Sequence, residues 1–264
     1  MPRQQIIITV IAILTVVGLY QLPKSVVDND EQTLATEAAS EVHTLEISGT
    51  DQQIINDLRT KLLGGDLTEK SITFADSLAR TFLVYSELDS AFKYADLMLE
   101  IDQSTATSEK SANIYYQAFG FISDQEKLEK ISDKIRQLYG RVLEVDASRD
   151  DLEARVAMTY VSGANPMEGI MKLRELVDQN ESNIEAQFNL GLLSIQSGQF
   201  DRAVERFRKV QQLAPSNMEA IFYLGVSLFE NGEQEKAKEL LEQVINESNN
   251  AAMIEMAGNY LEDK

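Results

Sequence analysis

The chain has 264 residues, four prolines and no cysteine, which leaves room for many uninterrupted helices and none for a disulfide, a thiolate nucleophile or a cysteine-held metal. Lys and Arg number 24 against 43 Asp and Glu, a net charge of −19. That acidic excess argues against a nucleic-acid backbone as ligand, which needs clustered cations, and against broad contact with anionic lipid.

The first element is "QQIIITVIAILTVVGLYQLP", Gln4 to Pro23, uncharged over 20 residues. As a helix it would rise roughly 30 Å, the thickness of a bilayer's hydrocarbon core. Arg3 precedes it, Lys24 follows, and the acidic "DNDE" comes next at 28–31. The charge bias puts the N-terminus in the cytoplasm and the rest outside. Residues 1–24 thus read as a single-pass signal-anchor in a bacterial cytoplasmic membrane, with the remainder periplasmic. A cleaved signal peptide is the alternative, but "GLYQLPKS" lacks the small-residue cleavage site that it needs.

Residues 25–50 are polar, acidic and without a steady apolar period, so they read as a flexible spacer with a short helix around Glu31–Val42. The only histidine, His43, falls here as a solvated side chain. A leading-helix segment over 51–71 follows, its amphipathic helix "DQQIINDLRTKLLGG" ended by Gly64 and Gly65. Residues 72–149 read as divergent hairpin units. One near 72–105 is marked by Leu78, Ala79, Ala91 and Met98, and another has an overlong second helix, Gln125 to Val145.

Residues 150–251 repeat themselves every 34 residues. "NLGLLSIQSGQFDRA" at 189–203 is echoed by "YLGVSLFENGEQEKA" from Tyr223. Leu190, Gly191, Ala203 and Phe207 fall on Leu224, Gly225, Ala237 and Leu241, while Val156, Ala157, Gly169 and Leu173 keep the same register upstream. Each unit reads as two helices. Gly198 and Gly232 end the first by taking a left-handed conformation, and Pro215 stops the second in its unit. Small residues at 191, 203, 225 and 237 let the helix axes approach, and the larger apolar residues fill around the crossing. Such a hairpin needs neighbours on both sides, so the units must stack. Residues 252–264, within "AAMIEMAGNYLEDK", start like another first helix and are read as a C-terminal cap.

The period, with Leu190–Gly191, Ala203, Phe207 and Pro215 in one unit and Leu224–Gly225 and Ala237 in the next, resembles the tetratricopeptide repeat. Leu241 replaces the family's aromatic there, and Asn249 its proline. The resemblance implies an all-α solenoid of helical hairpins whose first helices line a groove that binds a partner protein. At groove-facing positions stand Phe188, Leu192, Ile195, Phe222, Val226 and Phe229, with Glu185 and Glu219 at the rim. Phe188 and Phe222 occupy the positions of the lysines in the family's clamp for carboxylate tails, so that mode is not expected. An apolar groove with an acidic rim suits a peptide or helix with apolar anchors and some positive charge.

Phosphate loops, G-x-S-x-G, H-E-x-x-H and Cys–His pairs are absent, so no catalytic residue, metal site or cofactor is assigned. The expected role is a membrane-anchored interaction scaffold or adaptor, on layout similar to accessory subunits of protein export or envelope assembly. A homo-oligomerising structural repeat and a regulatory subunit of an envelope enzyme, for cell-wall or cytochrome maturation, are the alternatives.

Overall fold

A computed structural model describes residues 47–163 and 165–262. The expected anchor, the spacer as far as residue 46, its short helix and His43 lie outside these residues. Among the described residues no helix is long and apolar enough to cross a membrane.

Twelve helices and no strand are found among the described residues. A leading helix α1 (Gly49–Leu63) is followed by five antiparallel pairs: α2 (Glu69–Val84) with α3 (Leu88–Ile101), α4 (Thr105–Phe119) with α5 (Gln125–Leu143), α6 (Asp150–Val161) with α7 (Pro166–Gln179), α8 (Ile184–Gln196) with α9 (Phe200–Leu213), and α10 (Met218–Glu230) with α11 (Gln234–Glu247). Helix α12 (Ala251–Glu262) closes the stack. First helices pack directly on one another, α2 on α4, α6 on α8, α8 on α10 and α10 on α12, whereas second helices do not. Close spacing on one side alone bends a solenoid with that side inward. Helices α4 and α6 are the pair of first helices that fails to stack closely.

Local chemistry repeats with the period. Asn183 and Asn217 cap α8 and α10 by accepting from the amides of Ala186 (2.8 Å) and Ala220 (3.0 Å). Asn183 is buried and also donates to the Asp150 carbonyl at 3.1 Å, tying its unit to the preceding one. Gly198 and Gly232 end α8 and α10 with φ of 67° and 83°. In each case the next amide reaches five residues back, Gln199 to the Ser194 carbonyl and Glu233 to the Leu228 carbonyl. Ser86 does the same after α2, with φ 57° and the Glu87 amide on the Phe82 carbonyl. Counted from the start of its unit at residue 72, Ser86 holds the position that Gly198 holds counted from 184. Pro215 is exposed just beyond the end of α9.

At the helix crossings Leu190, Gly191, Ala203, Phe207, Leu224, Gly225, Ala237 and Leu241 are all buried. A Cβ on Gly191 would lie 2.7 Å from the Phe207 ring, and one on Gly225 3.0 Å from Leu241. Gly169 is tighter, since its Cβ would meet the Ala157 carbonyl oxygen at 2.5 Å. Gln187, which the pattern places near the surface, is instead 4% exposed. Its amide donates to the Glu181 carbonyl and accepts from Arg206, so a polar side chain is accommodated inside by pairing both ends.

Two stability outcomes follow. Gly169→Ala drives a methyl into backbone, so it should lose about 1–2 kcal/mol even after the helix-propensity gain of alanine, whereas Gly225→Ala crowds only the movable Leu241 side chain, with the Ala237 carbonyl at ordinary contact distance, and should stay within about 0.5 kcal/mol. Ser86→Gly should gain about 0.5–1 kcal/mol, because relief of the left-handed strain exceeds glycine's entropic penalty. Urea denaturation of the three variants measures both, and equal values for Gly169→Ala and Gly225→Ala would remove the backbone contact as their difference.

Candidate protein-binding face

The apolar residues expected to line a groove are largely used in packing. Phe222 (4% exposed) and Val226 (6%) share a cluster with Met253 and Ala257 of α12, so they are core. This corrects their reading as open groove residues: α12 lies over the flank that the last hairpin leaves bare. Phe188, Leu192, Ile195 and Phe229 are half-buried against Ala203, Val204, Phe207, Leu224, Leu228 and Ala237. The aromatic rings form a row, with Phe188 against Phe207 and Tyr223, Tyr223 against Phe222, and Phe222 and Phe229 against Tyr260, at centroid separations of 5.2–6.4 Å. Glu219 is exposed at the start of α10. Glu185 is drawn inward as the partner of an arginine rather than standing at a rim.

That arginine, Arg155, lies in a polar seam that the sequence pattern did not reveal. Its Nη1 donates to Asn113 Oδ1 at 2.8 Å and approaches the Tyr139 hydroxyl at 3.4 Å, and its Nη2 reaches Glu185 Oε2 at 3.3 Å. The guanidinium lies 5.4 Å from the centre of the Tyr116 ring. Tyr139 also donates to Asn113 Oδ1 at 2.8 Å. Asn113 and Tyr116 come from α4, Arg155 from α6, and Glu185 from α8. The seam therefore joins three first helices across the place where α4 and α6 do not stack closely. Arg149 adds a second bridge by a two-pronged bond to Glu109 of α4 at 3.1 and 2.8 Å.

The electrostatics keep these groups as donors. Burial works against the Arg155 charge, but Glu185 and Tyr139 outweigh it and hold the guanidinium above its usual pKa. Burial pushes the Tyr139 hydroxyl up to about 12, against the pull of Arg155. Burial likewise raises Tyr116, and the Glu185 charge adds to it. Ser108 Oγ, Arg155 Nε and Asn189 Nδ2 are buried donors without a close hydrogen-bond partner among the described residues, and the Asn189 amide lies near enough to the Tyr116 hydroxyl to work against the rise of its pKa. Asn189 is 4% exposed and lies on α8 one turn beyond Glu185. Buried donors left unpaired in a folded protein are uncommon and call for an explanation.

The seam had faint sequence traces. Glu109, Asn113 and Tyr116 are spaced four and three apart on one helix face, Glu185 and Asn189 four apart, and Arg155 and Asn189 are one period apart. An apolar-periodicity reading passes over all of them. Among the described residues no group of three acidic or histidine side chains could hold a metal ion.

Comparison with known proteins agrees with the fold. The tetratricopeptide repeat family matches residues 194–257. A comparison with curated protein sequences finds no significant match. Among solved structures, TTC0263, a thermophilic TPR protein of Thermus thermophilus, is 14% identical, with 67% of this chain and 90% of that one covered at a TM-score of 0.50. YrrB, a TPR protein with an unusual peptide-binding site, is 21% identical over 78% of this chain and 97% of its own, at a TM-score of 0.40. The pilF protein of Pseudomonas aeruginosa is 18% identical over 72% of this chain and 82% of its own, at 0.46.

Removing either anchor of these packed regions should be measurable. Phe222→Ser should cost about 3–5 kcal/mol, as for other buried phenylalanines, and Phe188→Ser clearly less. Arg155→Ala leaves Glu185 and Asn113 without their shared donor and should cost about 2–3 kcal/mol. Thermal and urea melts check these values, and a Phe222→Ser variant as stable as Phe188→Ser would contradict the covering role of α12. The domain that carries these residues is an all-α solenoid with a TPR-like fold, matched by the tetratricopeptide repeat family over 194–257.

Proposed function

We propose that the protein is an interaction scaffold that holds a segment of another protein on its first-helix face, centred on Arg155 and Asn189. The observation that carries this reading is that Arg155 Nε and Asn189 Nδ2, one period apart on successive first helices, are already desolvated donors, the first without a partner and the second with only the Tyr116 hydroxyl near it. An acceptor brought by a partner, a main-chain carbonyl or a side-chain oxygen, gains their hydrogen bonds without a further desolvation cost on the scaffold's side. Half-buried Phe188, Leu192 and Ile195 continue the same helix and offer apolar contact beside them. Tetratricopeptide folds generally bind proteins, which fits this use of the inward face. The uncharged run Gln4–Pro23 and its flanking charges support a membrane anchor, with the repeat domain held on the outer side of a bacterial cytoplasmic membrane, where an adaptor for export or envelope assembly would act.

Asn189→Ala tests the face without disturbing the fold. The free protein loses a buried amide whose near neighbour is the Tyr116 hydroxyl, so its melting point should change little. A photocrosslinker at Leu192 in the full chain, in native membranes, should lose its adducts about tenfold when Asn189 is alanine. Adducts of unchanged intensity would refute the assignment of the inward face. Alkaline carbonate extraction of the same membranes tests the anchor, and release of the full-length chain would overturn it.

A further inference from the structure

On the opposite side of the stack, second helices α7 and α9 stand apart with the C-terminal half of α8 as floor. The cleft between them measures about 780 Å³. Three arginines line it, Arg174 from α7 and Arg202 and Arg206 from α9, against one carboxylate, Glu205. Helix α9 holds Arg202, Arg206, Arg208 and Lys209 against Asp201 and Glu205, so it is net positive in a chain of net charge −19. Among the described residues none of the three cleft arginines pairs with a carboxylate. Arg202 donates to Gln199 Oε1 and Arg206 to Gln187 Oε1 at 2.8 Å, both neutral amides, and Arg174 is exposed with no hydrogen bond or ion pair.

The walls between these cations are apolar. Ile170 and Leu193 line the cleft, and Met167 at its mouth is 60% exposed. Met171, one turn on, is 64% exposed. Exposed methionines on a surface helix are adaptable contact surface, and no described residue covers these two.

We infer that this cleft is a second binding site, separate from the inward face, and that it takes an acidic amphipathic segment of a partner protein: an aliphatic side chain seated among Met167, Ile170 and Leu193, with carboxylates on Arg174 and Arg202. Charge complementarity selects this occupant. A polynucleotide needs a long cationic track, whereas the cleft is short and the remaining surface is acidic. An anionic bilayer would meet Glu168, Glu175, Asp178 and Asp201 beside the arginines. A guanidinium free of internal partners can take a carboxylate in two-pronged fashion.

The test uses the full chain in detergent and a fluorescent 16-residue helix-forming peptide with two leucines four residues apart flanked by glutamates, together with its glutamine counterpart. The glutamate peptide should bind at least tenfold more tightly than the glutamine peptide, with an affinity that falls as salt rises. Arg174→Glu with Arg202→Glu should remove at least a further tenfold, and the milder Arg174→Gln with Arg202→Gln should lie between, all with the melting point kept, since both side chains are exposed. Asn189→Ala should leave this binding unchanged, which separates the cleft from the inward face. Equal affinity for the two peptides, or indifference to the arginine variants, overturns the proposal. So does loss of binding with Asn189→Ala, or arginine-dependent binding to phosphatidylglycerol vesicles without binding of the peptide.

Discussion

Every 34 residues two helices of this chain approach so closely that a side chain at the crossing must be missing. At Gly191 the vacant position is filled by the ring of Phe207, and a Cβ there would be 2.7 Å from it. The ring can occupy that place only because glycine yields it, and in doing so it becomes the centre on which Phe188 and Tyr223 pack edge-on and stacked. At Gly225 the leucine Leu241 plays the same part with less reach, and at Gly169 the backbones themselves meet. One spacing rule thus sets the tilt of each hairpin and the identity of its filler, and through the filler it sets which side chains of the next unit are covered.

A hairpin built this way leaves apolar surface on both flanks, so the stack must end by covering itself. Helix α12 does so by placing Met253, Ala257 and Tyr260 over Phe222 and Val226. Apolar area removed from water in folding cannot be removed again in binding, so the aromatic row contributes to stability more than to recognition. What remains for a partner is of another kind. Between α4, α6 and α8 the gap is closed by Arg155, Asn113, Tyr139 and Glu185, and such a seam specifies which helices adjoin because each polar group needs its own counterpart. It also leaves Arg155 Nε buried without a partner among the described residues, and a pre-desolvated donor is more valuable to an incoming acceptor than one still bonded to water.

The helices and their pairing were legible because they rest on periodic features: apolar spacing, and glycine at the left-handed stops of α8 and α10, whereas Ser86 and the asparagine caps emerged only in the structure. The start of α6 at Asp150 and the end of α9 before Pro215 follow from such local chemistry. The fate of Phe222 was not legible. Its exposure depends on whether the short C-terminal segment folds back, and that is a tertiary fact with no periodic trace. Gln187 was misplaced for a related reason, since its burial is permitted only by Arg206, 19 residues away, and the Glu181 carbonyl. The seam escaped notice because polar residues on a helix face read as solvated unless the partners across the stack are known.

Charge organises what packing leaves open. With 43 acidic side chains for 24 basic ones, a lysine or arginine on this surface has ample opportunity to find a carboxylate, and many do, as Lys127 does with Asp89 and Arg80 with Asp76. Arg155 follows that rule inside the stack, where Glu185 sustains its charge against burial. The arginines between α7 and α9 depart from it, held beside neutral amides or left free. Surface ion pairs contribute little to stability, so nothing in the fold requires these arginines to stay unpaired. Left without carboxylate partners, they keep a positive field local to one recess of an otherwise negative molecule. Local fields of that kind govern the rate and selectivity of encounter more than they govern the fold.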